Sequence, residues 1–122
     1  MSKYKRAGLF NLKVNGQVYY AKGNFTYSLG GVKREAVLAS NGQVIGYKEV
    51  AIVPYIEGEM SDDIGLNLKT LFNMDGATVS LELANGKVIV LREAWYAGES
   101  KVEVNEGNIA VRFEGLDCDE IK

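Results

Sequence analysis

Histidine is absent from this 122-residue sequence, and cysteine and proline occur once each. Without histidine, the usual general base near neutral pH and the commonest metal ligand are both missing. Ser-His-Asp and Cys-His catalytic arrangements are therefore excluded. One cysteine cannot form a disulfide within the chain or a thiolate metal cluster, a usage compatible with a reducing compartment. Cys118 lies between Asp117 and Asp119, whose charge disfavours its thiolate, and it reads as a bystander in a tail. No run approaches the about 18 apolar residues that span a bilayer. The basic start Met1-Ser2-Lys3-Tyr4-Lys5-Arg6 is not followed by an apolar signal core. The expectation is a soluble, cytoplasmically made chain with no membrane partner. Formal net charge is −2, so the concentrated basic surface of an ordinary nucleic-acid binder is also missing.

What is present is a folded chain's share of apolar residues, 47% with 10% aromatic, and 14 glycines. Many glycines beside one proline indicate tight turns between strands rather than linkers. Three Asn-Gly pairs, Asn15-Gly16, Asn41-Gly42 and Asn85-Gly86, are hairpin signals, because this dipeptide accepts the positive φ angles of a type I′ turn. They join 8–14 to 17–21 and 78–84 to 87–96, with the middle pair inside 32–49. Two-residue alternation marks 24–29, where Phe25, Tyr27 and Leu29 oppose Asn24, Thr26 and Ser28. It marks 108–115 in the same way, and 52–60 and 101–104 also read as strands. Pro54 belongs at a strand start, bulge or edge, because it lacks an N–H for the ladder. Ile64, Leu68, Leu71 and Phe72 instead recur at helical spacing, so one helix is expected over about 63–74. Asp62 or Asp63 can cap its start and Gly76 its end. The expectation is an all-β sandwich or barrel of two packed antiparallel sheets, about seven to nine strands, with one short flanking helix. It forms one domain over 1–122, with short flexible termini at about 1–6 and 116–122.

The candidates for chemistry do not converge on an enzyme. Asp62-Asp63 precedes a helical pattern, where capping accounts for the pair better than a metal or acid–base role. Glu57 and Glu59 share a strand face, but no cluster of aromatics and amides accompanies them to hold a sugar. Gly30-Gly31 lacks the Gly-Lys-Ser/Thr ending and the helix of a phosphate-binding loop. Neither cofactor nor catalytic residue is assigned.

A set of residues ordered along most of the chain carries a resemblance. It runs from Ala7-Gly8 through Gly23-Asn24-Phe25-Thr26-Tyr27, Val32-Lys33-Arg34-Glu35, Gly46-Tyr47-Lys48-Glu49 and Pro54-Tyr55-Ile56-Glu57. It continues through 79–87, Trp95, Glu106-Gly107 and Val111-Arg112-Phe113-Glu114-Gly115. In this order and spacing the chain resembles the tail tube proteins of Mu-like contractile-tailed bacteriophages, which are related to the tube proteins of type VI secretion systems.

The resemblance implies subunits that form hexameric rings, each lending strands to a barrel around a channel. Rings stack into a tube inside a contractile sheath, and double-stranded DNA passes without specific binding. Implied partners are further copies of the chain, the sheath protein, and baseplate and tail terminator proteins. A prophage or tail-like bacteriocin is an equally compatible source. Alternation then places Asn24, Thr26, Ser28, Glu57 and Glu59 on the channel side, with carboxylates and small hydroxyls repelling phosphate. The competing position for Glu57 and Glu59 is the outer surface under the sheath. The polar stretch 32–49 corresponds by resemblance to a loop that reaches the adjoining ring, through Lys33, Arg34, Glu35, Asn41, Gly42, Gly46, Tyr47, Lys48 and Glu49. Basic Lys3, Lys5 and Arg6 and acidic Asp117, Asp119 and Glu120 suggest a second, weaker stacking pair. The reading from another class is a monomeric β-sandwich ligand-binding module, followed by a small acidic-pair hydrolase.

Overall fold

Two-residue alternation organises the chain, and the computed structural model describes it over residues 9–19, 21, 24–62 and 67–121. The elements in order are β1 Leu9–Val14, β2 Gln17–Tyr19, β3 Thr26–Ser28, β4 Gly31–Leu38, β5 Val44–Ile52 and β6 Tyr55–Ser61. Then follow α1 Leu68–Phe72, β7 Ala77–Leu83, β8 Val88–Tyr96, β9 Val102–Glu103, β10 Asn108–Glu114 and β11 Asp117–Ile121. The protein is an all-β sandwich with a single short helix among the described residues, as the alternation predicts.

Every pairing is antiparallel, and the main sheet runs β2-β1-β7-β8-β10-β6-β3, with β11 added to β8 and β9 to β10. Its two ends, β2 and β3, are successive stretches of chain, and Ala21 between them bridges Met60 on β6. The chain thus passes from one end strand of the sheet to the other, although β2 and β3 do not pair with each other. Leu12, Val79, Leu81, Ile89 and Leu91 from one half close against Ile56, Met60, Ile109, Val111 and Phe113 from the other, all buried. Each buried aliphatic or aromatic side chain stabilises by about 1.5–3 kcal/mol relative to exposure.

Only Asn15 and Gly16 both take positive φ, 51° and 84°, as a type I′ turn requires. At the other two Asn-Gly pairs the glycine alone is left-handed, and Asn41 and Asn85 instead accept the Gln43 and Lys87 amides through Oδ1.

The helix is shorter than its expected 63–74 span and is capped differently. Residues 63–66, with Asp63 and Ile64, lie outside the described residues. The cap is Asn67, whose Oδ1 accepts the Thr70 amide at 3.1 Å. Asp62 does not cap: its own amide donates to Gly107 at 2.8 Å. Asn73 ends the helix, and Gly76, at φ 64°, turns the chain into β7 instead.

Two strand expectations also shift. The 52–60 stretch divides: Ile52 closes β5, Pro54 occupies a break, and β6 starts at Tyr55. Leu29, which alternation puts on the apolar face with Phe25 and Tyr27, is 43% exposed at that same break. Within 116–122, expected as a flexible terminus, Asp117–Ile121 forms β11, which pairs with β8 from Asp117↔Arg92 to Ile121↔Val88. Cys118 is buried there, not a bystander in a tail, and burial pushes its thiol up to about 11 with Asp119 and Asp117 adding to the shift. Ion pairs from Arg92 to Asp117 and Asp119 offset the repulsion that three carboxylates in five residues would otherwise bring. Of the proposed stacking termini, Lys3, Lys5 and Arg6 lie outside the described residues.

Candidate functional site

The outward face of β3, β6 and β10 gathers the polar residues that alternation leaves outside the core. Thr26 pairs with Glu57 and Ser28 with Tyr55, while Glu57 pairs with Arg112 and Glu59 with Ala110 on the far side. Asn24, Thr26, Ser28, Glu57 and Glu59 therefore fall on one face, and all but Ser28 line a shallow groove with Lys101 and Arg112. Phe25 fixes how β3 lies on β6: its ring covers Gly58 so closely that a Cβ there would sit 2.5–2.6 Å from ring carbons.

The residue that sequence reading missed is Arg112. Its Nη1 bonds Glu57 Oε2 at 2.8 Å, its Nε bonds Glu114 Oε2 at 3.0 Å, and its guanidinium lies 4.1 Å from the Tyr55 ring centre. This is the fork geometry that suits arginine to two carboxylates at once. The alternation of Ala110, Arg112 and Glu114 against Ile109, Val111 and Phe113 carried the signal. What remained hidden was that Glu57 would stand beside it in the ladder. Two of the face's carboxylates are thus neutralised in part, while Glu59 is exposed and stands apart from the Arg112 cluster.

The second surface is the hairpin β4–β5, which pairs only with itself, from Gly31↔Ile52 to Leu38↔Val44. It brings together Lys33, Arg34, Glu35, Asn41, Gly42, Gly46, Tyr47, Lys48 and Glu49, all exposed except the half-buried Glu35. Glu35 lies 4.0 Å from Lys33 and 3.9 Å from Lys48, and Arg34 stands 5.0 Å from the Tyr47 ring centre. The hairpin is less polar than its charges suggest: Val32, Leu38, Val44, Ile45 and Tyr47 are each more than half exposed, at 56–66%. These side chains are spread along the hairpin, from Val32 opposite Ala51 near its base to Leu38 opposite Val44 near its tip.

Hairpin and sheet face are one structure. Thr26↔Glu57, Ser28↔Tyr55, Gly31↔Ile52 and Val37↔Gly46 all keep a single register, so β3–β4 and β5–β6 form one long ladder broken only at 29–30 and 53–54.

Among the described residues no group of three or more potential ligands could hold a metal ion, and no helix is long and apolar enough to cross a membrane. Comparison with known proteins gives two findings. A profile of the phage tail tube protein family matches residues 3–120. The Mu-like prophage FluMu tail tube protein of Haemophilus influenzae is 24% identical over 111 residues, covering 91% of this chain and 92% of that one.

Proposed function

Because the chain belongs to the phage tail tube protein family, a family of structural virion components, we propose that it is the subunit of hexameric rings stacked into a tube. The sheath around that tube is contractile, and double-stranded DNA passes along its channel without specific binding. Assembly takes place in the bacterial host cytoplasm, with baseplate and tail terminator proteins at the two ends. One observation supports this reading most: a long hairpin leaves five large apolar side chains more than half exposed among the described residues. A lone small domain gains nothing from such a surface, whereas a ring subunit buries it against the next ring. Stacking is a head-to-tail contact, so its two surfaces complement each other rather than match.

In this reading Asn24, Thr26, Ser28, Glu57 and Glu59 line the channel. Arg112 holds Glu57 in place, so the wall presents oriented acceptors to a polyanion rather than loose charge. The hairpin residues Lys33 to Glu35 and Gly46 to Glu49, with the Asn41-Gly42 turn, make the inter-ring contact. Deleting 41–46 tests it: the domain should stay folded and form rings, yet long tubes should be lost. Full-length tubes from the deletion variant would place stacking elsewhere.

A further inference from the structure

The register of the strands exposes an edge whose partner is missing. β6 and β10 pair from Ser61↔Asn108 to Tyr55↔Glu114. The ladder reaches one step further, where the Gly115 amide donates to the Pro54 carbonyl at 3.2 Å. Continued in the same register, it would lay Ile52 of β5 beside Asp117 of β11 and Val50 beside Asp119. It stops instead. Among the described residues β5 pairs only with β4, and β11 only with β8.

Two strand edges that the register makes neighbours therefore have no strand partner among the described residues. The cause lies at the break: Pro54 has no N–H to donate, and Gly30 and Gly31 opposite it take φ 79° and 96°. These turn the hairpin off the line that β6 and β10 set. An unpaired edge is a template for strand addition.

We infer that the free edge of β11 receives the free edge of β5 from a second copy of the chain. The inference rests on the self-assembling reading above and names the contact through which a hairpin joins its neighbour. Exposure favours it. Leu116 just before β11 and Ile121 at its end are 73% and 47% exposed, and Ile45 and Val50 on β5 are 66% and 38% exposed, so pairing covers apolar surface on both sides. The same chain cannot make the contact in this conformation, because its own hairpin has already left that line at Pro54.

The test uses Asp119→Cys in one preparation and Lys48→Cys, Val50→Cys or Ile52→Cys in another, mixed, assembled and mildly oxidised. The native Cys118 stays, because it is buried. The expected result is a disulfide-linked dimer between the two preparations at one of the three positions, present in assembled tubes and absent from dispersed subunits. Tubes without linkage at any position would overturn the contact, as would linkage within one chain in the double variant. Microscopy of the same samples keeps the two readings apart, because a protein that forms no tubes contradicts the tube reading itself. Amide exchange on unmodified protein guards against variants that misassemble. Residues 117–121 should exchange at least tenfold more slowly in tubes than in free subunits, and equal exchange would overturn the contact.

Discussion

Gly30 faces Pro54 across the break in the long ladder, so closely that a Cβ on Gly30 would lie 3.0–3.2 Å from three atoms of the proline ring. Gly31 next to it has open space where its Cβ would be, although its φ is also positive. The pair separates backbone strain from collision. Gly31→Ala should cost about 1–2 kcal/mol, the strain of a left-handed alanine. Gly30→Ala should cost more, because Pro54 is held by the Gly115 amide and cannot retreat freely. Urea unfolding of the two variants checks this, and equal midpoints would count against it.

Gly58→Ala should destabilise the fold by about 1–3 kcal/mol through overpacking alone, since the backbone there is not left-handed. Thermal unfolding should show the loss, and Phe25→Leu in the same chain should recover part of it by giving up ring atoms. A Gly58→Ala variant as stable as the parent would mean that Phe25 does not fix β3 onto β6.

Cys118 should be silent toward thiol reagents at pH 8 in the folded protein and reactive once the chain unfolds. Burial raises its pKa from 9.0 to about 11. The sign of the stability effect follows from this. Below pH 9 the thiol is neutral in both states and its contribution is intact. As pH rises from 9 toward 11, only the unfolded chain ionises, so stability falls. Cys118→Ala should remove that loss, and an unchanged alkaline profile would contradict the assignment.

The two strand-face glutamates should behave differently. Glu59→Lys leaves the Arg112 cluster intact and should change stability by no more than about 0.5 kcal/mol. On the proposal that Glu59 lines the channel, it should also slow DNA passage in particles. Glu57→Lys sets a second cation beside Arg112 in place of the carboxylate that its Nη1 meets at 2.8 Å, and should lower stability as well. Ejection rates and melting temperatures of both variants separate the effects. Normal ejection from Glu59→Lys particles would remove Glu59 from the channel.

Strand positions were largely legible because most strands here have one wet and one dry face. Ile109, Val111 and Phe113 read as inward, and they are buried. Asn24, Thr26 and Ser28 read as one face; the ladder to β6 keeps Thr26 and Ser28 there, and Asn24 lines the same groove as Thr26. β11 was not legible, because Asp117-Cys118-Asp119-Glu120-Ile121 carries its stabilising partners elsewhere. Arg92 neutralises two of its carboxylates, and Glu120 accepts a hydrogen bond from Tyr27 at 3.0 Å across the sandwich. Arg112 was seen as a strand residue, but its role depends on Glu57, which is distant in sequence. The hairpin's polarity was overread, since Val44, Ile45 and Tyr47 carry no alternation with the charges around them and yet stand open. The cap of the described helix is Asn67, directly before the apolar Leu68, rather than Asp62 further upstream; Asp63 lies outside the described residues.

Size-exclusion chromatography with negative-stain microscopy, run on the unmodified protein over a wide concentration range, tests the central claim most directly. A tube subunit with an open hairpin and an open β11 edge should shift to larger species as concentration rises, and rings or stacked tubes should appear in the images. A monomer at every concentration, with no rings, would contradict the account and favour a β-sandwich module that binds its ligand alone.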